Sequence, residues 1–220
     1  MTTTDDQRPQ LGAQARERLE TVRDLHPIVG ERIAKLSELE EVLRTATELS
    51  KQKELDEVAA RKALNDASED AARRSRLISL KLETAQLEGQ IPLDAYRTAL
   101  TAAFPVGAAA VGVLAGERHA TMQRIAKALE ETPTADPSGT LRQSALNGAK
   151  ALEDANNATK TEAVDKATAL QALSDARARW DEGYTATKEI VSGLLRDVGR
   201  RAELGALFSE VAPAAAPAKR

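Results

Sequence analysis

The feature that most constrains this sequence is a long stretch without proline or glycine, from Glu31 to Glu88. Because proline breaks a helix and glycine weakens one, their absence allows a single helix to continue through the whole stretch. At 1.5 Å per residue, such a helix is about 87 Å long. Leucine and alanine recur within it at helical spacing, which predicts one buried face. A more polar region at residues 50–56 leaves a local bend open.

A second stretch, from Thr140 to Glu210, also lacks proline and predicts a second long helix. It contains several glycines, so we expect this helix to end near Val198. Large side chains at multiples of seven predict a buried stripe along it, namely Leu152, Leu173, Trp180, Thr187 and Leu194. Between the two stretches lies a middle segment, Leu93–Glu131, which Pro105 should break.

Composition favours helices throughout. Aromatic residues make up only 2% of the chain, whereas strong helix formers dominate it. The prediction is an all-α fold, an elongated antiparallel helical bundle built on two long helices, Gly30–Glu88 and Thr140–Val198, with a short N-terminal helix at Leu11–Leu25. The bundle is predicted as a single domain over residues 11–211, between a disordered tail at residues 1–10 and a disordered Ala/Pro tail at residues 212–220.

An internal repeat is visible at an offset of 109 residues. Residues 51–67 align without gaps to residues 160–176, with seven of seventeen positions identical. An offset of half the chain is what a duplicated helical unit gives, and it predicts repeat-like halves at about 31–104 and 140–211. A chance match between alanine-rich helices is the alternative.

Residues with catalytic or metal-binding chemistry are scarce. The chain has no cysteine and two isolated histidines, His26 and His119. Neither a Glu-x-x-His nor a His-Glu-x-x-His motif is present, and no Gly-x-Ser-x-Gly elbow occurs. We therefore predict that the protein is not an enzyme, binds no metal and needs no cofactor, and we interpret His119 as a polar residue of a helix face. The net charge of −3 and the acids beside each basic cluster predict no binding of nucleic acid.

One segment, residues 98–116, has nineteen residues and no charge. Its length would admit a membrane span, but seven alanines and three glycines disfavour insertion. We expect it to be buried, with contact to a partner or subunit and membrane insertion as alternatives. The candidate packing or contact residues are Leu100, Phe104, Pro105, Val106, Val111, Val113 and Leu114.

The function predicted from these observations is that of a non-enzymatic structural or interaction protein. It would associate with itself or with a protein partner through the faces of its long helices. The alternative is an amphitropic helical protein that coats an apolar surface or inserts residues 98–116 into a membrane. Because residues 1–10 are polar and no apolar segment follows them, we expect a cytoplasmic location.

Overall fold

The structure, a computed structural model, describes residues 7–105, 107 and 117–208. All of its regular elements within these residues are helices: α1 (Gln7–Glu20), α2 (Pro27–Leu87), α3 (Leu93–Ala103), α4 (Arg118–Glu131), α5 (Thr140–Asp197) and α6 (Leu204–Leu207). Short 3-10 turns precede or follow several of them. The prediction of an all-α fold built on two long helices is confirmed, and α2 continues without a break through residues 50–56.

Both long helices end in the same way. Gly89 and Gly199 each have a φ of +73°, a backbone conformation that glycine adopts without steric cost. The residue after each glycine donates its backbone N–H back into the helix, from Gln90 to the Ala85 carbonyl at 2.8 Å and from Arg200 to the Leu195 carbonyl at 2.7 Å. These bonds satisfy carbonyls that the last turn would otherwise leave open.

The beginning of α5 is fixed by side chains of the preceding loop. Asp136 is buried, and its Oδ2 accepts a hydrogen bond from the backbone N–H of Arg142 at 2.8 Å. Ser138 Oγ accepts another from the backbone N–H of Thr140 at 3.3 Å. These bonds supply partners for N–H groups of the first helical turn, as we expect for capping residues.

The N-terminal helix α1 begins earlier than the sequence predicts. Residues 7–10, assigned to a disordered tail, form its first turn, because Arg8 is buried and has a charged partner. Its Nη2 lies 2.8 Å from Asp181 Oδ2, and its Nε donates to Asp181 Oδ1 at 3.0 Å. Further along, Arg16 donates two hydrogen bonds to Glu40. The rest of the predicted N-terminal tail and the C-terminal tail lie outside the described residues.

The chain forms two compact units. Unit 1 comprises Met1–Glu54 and Asp165–Arg220, and unit 2 comprises Leu55–Val164. The single domain and halves predicted from the sequence follow the order of the chain, whereas each compact unit combines part of α2 with part of α5. Antiparallel helices explain this division, because the beginning of one lies beside the end of the other.

Each unit has its own hydrophobic core. In unit 1, residues from α1, α2, α5 and the C-terminal region pack together, and Trp180 is only 2% exposed. The burial predicted for this tryptophan is confirmed. In unit 2, the core is built from α2, α3, α4 and α5, with several alanines at the helix contacts. Small side chains of this kind allow helix backbones to approach closely.

The pattern of burial repeats at the offset found in the sequence. In α2, the buried positions of unit 2 include Ala71, Ser75, Ile78 and Leu82, and those 109 residues later in unit 1 are Trp180, Tyr184, Thr187 and Val191, also buried. A close helix approach recurs as well. A Cβ on Gly148 would lie 3.3 Å from Arg74, and at the equivalent positions a Cβ on Gly183 would overlap Leu39. The duplication itself stays a prediction that these equivalences support.

Candidate functional site

The candidate segment at residues 98–116 is only partly within the described residues. Leu100 is half-buried against the core of unit 2, Phe104 is buried in that core, and Pro105 is exposed. Ala99 and Ala103, on the same helix α3, are fully buried. The remaining candidates lie outside the described residues: Val106, Val111, Val113 and Leu114. The described beginning of the segment is therefore part of the core and offers little surface to a partner.

A different part of unit 2 presents apolar side chains to solvent. On α2, Leu77, Leu80 and Leu87 are 49%, 58% and 76% exposed. Thr84 is exposed between them, and its hydroxyl donates to the Leu80 carbonyl at 2.9 Å, so its methyl group adds to the apolar surface. The spacing of three, four and three residues places all four on one helix face. We call these four residues the leucine stripe.

The leucine stripe lies on the side of α2 that does not form the core. The neighbouring residues Ile78 and Leu82 are almost fully buried and use the opposite face. This end of α2 therefore has two apolar faces, of which one is covered by unit 2 itself. Sequence analysis assigned Ile78 and Leu82 to the buried face and missed the other, although the additional leucines were a visible signal. Large apolar side chains in a row on a solvated helix mark interaction surfaces more often than single ones do.

A groove borders the leucine stripe. It has a volume of about 600 Å³ and lies within unit 2, between the end of α2 and the loop that leads into α5. Leu80 and Thr84 belong to both the stripe and the groove, and Ile91, Pro137 and Leu141 add apolar surface to the groove. The combined surface is long enough to receive several turns of another helix.

Charged residues flank the leucine stripe on both sides. With Leu77 and Thr84 at heptad positions a and Leu80 and Leu87 at positions d, Arg76 and Glu83 occupy positions g. Lys81 and Glu88 occupy positions e. All four are exposed. Residues at e and g decide which helix can pair with such a stripe, because they contact the partner's flanks.

The described residues offer no comparable site for catalysis or metal binding. Nowhere among them do three His, Cys, Asp or Glu side chains come together in a group that could hold a metal ion. His26 and His119 are far apart in sequence and belong to different units. Within the same residues, no helix is both long and apolar enough to span a membrane.

A comparison of the chain with protein-family models, with curated proteins and with solved structures finds no match in any of the three. The function must therefore be argued from the surfaces of the molecule itself.

Proposed function

We propose that this protein is a non-enzymatic interaction protein that binds an amphipathic helix of another protein along the leucine stripe. The observation that carries the proposal is the exposure of three leucines on one face of a regular helix. Burying a leucine side chain stabilises a contact by roughly 1.5–3 kcal/mol relative to leaving it in water. A partner helix with apolar a and d positions would cover all three and extend into the adjoining groove.

The charges at the flanks favour a different chain over a second copy of this one. In an antiparallel pair, e positions meet e positions and g positions meet g positions, so Lys81 would face Lys81 and Glu83 would face Glu83. In a parallel pair, g positions meet the e positions that follow, so Arg76 would face Lys81 and Glu83 would face Glu88. Either arrangement brings like charges together, which is unfavourable.

A lipid surface is the other occupant that an apolar helix face can have. Helices that bind anionic membranes carry Lys and Arg around the apolar face. Here Glu83 and Glu88 balance Arg76 and Lys81, so the flanks supply no net attraction to such a surface. The absence of a net positive charge therefore supports a protein partner.

The experiment uses two synthetic helical peptides of the same length. The first carries leucine at a and d, lysine at e and g of its first heptad, and glutamate at e and g of its second. In antiparallel orientation these charges are opposite to those of the leucine stripe. The second peptide copies residues 73–90 of this chain. We expect the first to bind at least about tenfold more tightly, measured by fluorescence anisotropy, because charge pairs replace repulsions.

The matched variants are Leu80→Glu in the leucine stripe and Leu170→Glu on the exposed surface of α5 in unit 1. Leu80→Glu should abolish binding of the complementary peptide, and Leu170→Glu should leave it unchanged. Binding that survives Leu80→Glu would refute the proposal. A wild-type dimer that Leu80→Glu dissociates would show that the occupant is a second copy. Binding to phosphatidylglycerol vesicles that Leu80→Glu abolishes would indicate lipid.

A further inference from the structure

A second concave site lies in unit 2, away from the leucine stripe. It is a cleft with a volume of about 640 Å³, within the range of small-molecule sites. Its walls come from α2, α4 and α5, and its apolar floor includes Leu64 and Leu152. The polar lining residues include Asn65, Asn156, Asn157 and Lys160.

The lining is unusual for this chain. The sequence contains four asparagines, and three of them line this one cleft. His119, one of the two histidines, lines it as well. Asparagine is a poor helix former, yet all three lie inside long helices where alanine would be more favourable. Side chains that violate a local preference without a packing reason are concentrated at functional sites.

The equivalent positions of unit 1 serve as an internal reference. At an offset of 109 residues the floor is preserved, because Leu64 corresponds to Leu173 and Leu152 to Leu43. The amides are not preserved. Asn65, Asn156 and Asn157 correspond to Ser174, Thr47 and Glu48, respectively. The helix pair therefore does not require asparagine at these positions, and their concentration is specific to unit 2.

The donors in the cleft are suited to an anion. Each amide offers two N–H groups, and Lys160 offers an ammonium that takes part in no ion pair among the residues the structure describes. Ser68 is buried in the wall, and its Oγ accepts a hydrogen bond from Arg118 Nη1 at 2.7 Å, which fixes a second positive charge beside the cleft. Charge-assisted hydrogen bonds of this type are the strong ones.

The charges of the lining restrict the anion. Glu153 is the one acid among the lining residues, and it precedes Lys160 by seven residues, or about 10 Å along the helix. A doubly charged phosphate would meet both an ammonium and a carboxylate. A single carboxylate can lie at the Lys160 end, away from Glu153, with its carbon chain on the leucine floor.

We propose that this cleft binds a carboxylate group attached to an apolar chain, held by Lys160 and by the side-chain amides of Asn156, Asn157 and Asn65. The inference does not depend on the leucine stripe or on the partner proposed for it. Two sources share this chemistry, the C-terminus of a peptide and a small free acid. Both present a planar anion next to apolar atoms.

The test is a titration followed by NMR of the asparagine side-chain NH₂ groups in the full-length protein. The probes are N-acetylleucine, its amide N-acetylleucinamide, and an N-acetylated tripeptide that ends in leucine. Asn147, the fourth asparagine, lies outside the cleft lining and hydrogen-bonds to Gln143, so its signal is an internal control. We expect N-acetylleucine to shift the three cleft signals in a saturable manner and to leave Asn147 unchanged. The amide should bind at least about tenfold more weakly, since it lacks the charge.

Lys160→Met should weaken binding by about tenfold or more, whereas Lys51→Met, at the equivalent position of unit 1, should not affect it. Tighter binding of the tripeptide than of N-acetylleucine would assign the site to a peptide C-terminus, and equal binding would assign it to a small acid. Absence of saturable shifts for both carboxylates would overturn the proposal. So would equal binding of the carboxylate and the amide.

Discussion

The two units share one pattern of buried positions but fill it differently. In the core of unit 1, three of sixteen residues are alanines, and Trp180, Tyr184 and Phe208 form an aromatic cluster. The Trp180 and Tyr184 rings stack with centroids 4.9 Å apart, and Phe208 meets Tyr184 edge-on at 5.7 Å. In the core of unit 2, nine of seventeen residues are alanines. Thus one helical framework is compatible both with bulky rings and with small side chains.

The outer surfaces differ in the opposite sense. Unit 2, with the smaller core side chains, carries the leucine stripe and the asparagine-lined cleft. The positions of unit 1 that correspond to Leu77, Leu80 and Leu87 are Ala186, Glu189 and Arg196. An apolar residue is therefore not needed there to form the helix. The difference indicates that unit 1 contributes mainly stability and unit 2 mainly recognition.

The largest effect that tests this comparison is expected at Trp180. Replacing it with alanine should lower the free energy of unfolding by about 3–5 kcal/mol, because the cavity left by a large ring is only partly filled by relaxation. Urea denaturation followed by far-UV circular dichroism measures the change. Trp180→Phe, which keeps an aromatic ring, should cost clearly less. A loss below about 1 kcal/mol for the alanine variant would contradict a core that depends on this cluster.

Unit 2 should respond most strongly to enlargement of a side chain. Ala99 is fully buried on α3, and Ala99→Leu should destabilise the protein by about 1–3 kcal/mol, because a close-packed contact cannot accept extra methylenes. The matched control is Ala102→Leu on the exposed side of the same helix, for which we expect a change within about 0.5 kcal/mol. Stabilisation by Ala99→Leu, measured in the same urea titration, would reveal a void and refute the close packing.

The smallest effect concerns two carboxyl groups with opposite pKa shifts. Burial raises the pKa of Glu40 in unit 1, although hydrogen bonds from Arg16 partly oppose this. In unit 2, the hydrogen bond from Arg74 lowers the pKa of Asp70. Carboxyl ¹³C NMR during a pH titration should find Glu40 above and Asp70 below their ordinary values of 4.5 and 3.8. Arg16→Gln should raise the pKa of Glu40 further, and a fall would contradict this assignment.

The signs of these shifts determine how each group contributes to stability. Because the folded pKa of Glu40 is raised, its charged form opposes folding at neutral pH, and this cost disappears as the pH falls through the raised pKa. Asp70 behaves in the opposite way. Its contribution is present above pH 3.8 and is lost as the pH falls through the lowered pKa. Since Asp70 is partly exposed, solvent screening keeps its contribution below about 1 kcal/mol.

The sequence predicts the long helices well because their ends are written in local signals. The glycine at position 89, the proline-free stretches and the capping pair Asp136 and Ser138 act within a few residues of where they stand. The heptad spacing that includes Trp180 also predicts its burial. These features depend on backbone conformation and periodicity, which a single helix already displays.

The surfaces were not predicted because they depend on which face of α2 the rest of unit 2 covers. Periodicity identified Ile78 and Leu82 as buried but could not show that Leu77 and Leu80 have no covering element among the described residues. The cleft brings together Asn65 and Asn156, which are far apart in sequence. Only the packing of α2 against α5 makes them neighbours, so helix propensity alone indicated an unfavourable residue and not a site.

The glycine that ends α2 also limits how long a bound partner stays. Because the helix stops at Gly89, the leucine stripe extends over only about 15 Å from Leu77 to Leu87. A contact of this length belongs to the small, transient class of interfaces. Differences in affinity between such contacts appear mainly in the dissociation rate. A partner held here would exchange rapidly, and occupancy would follow its free concentration from moment to moment.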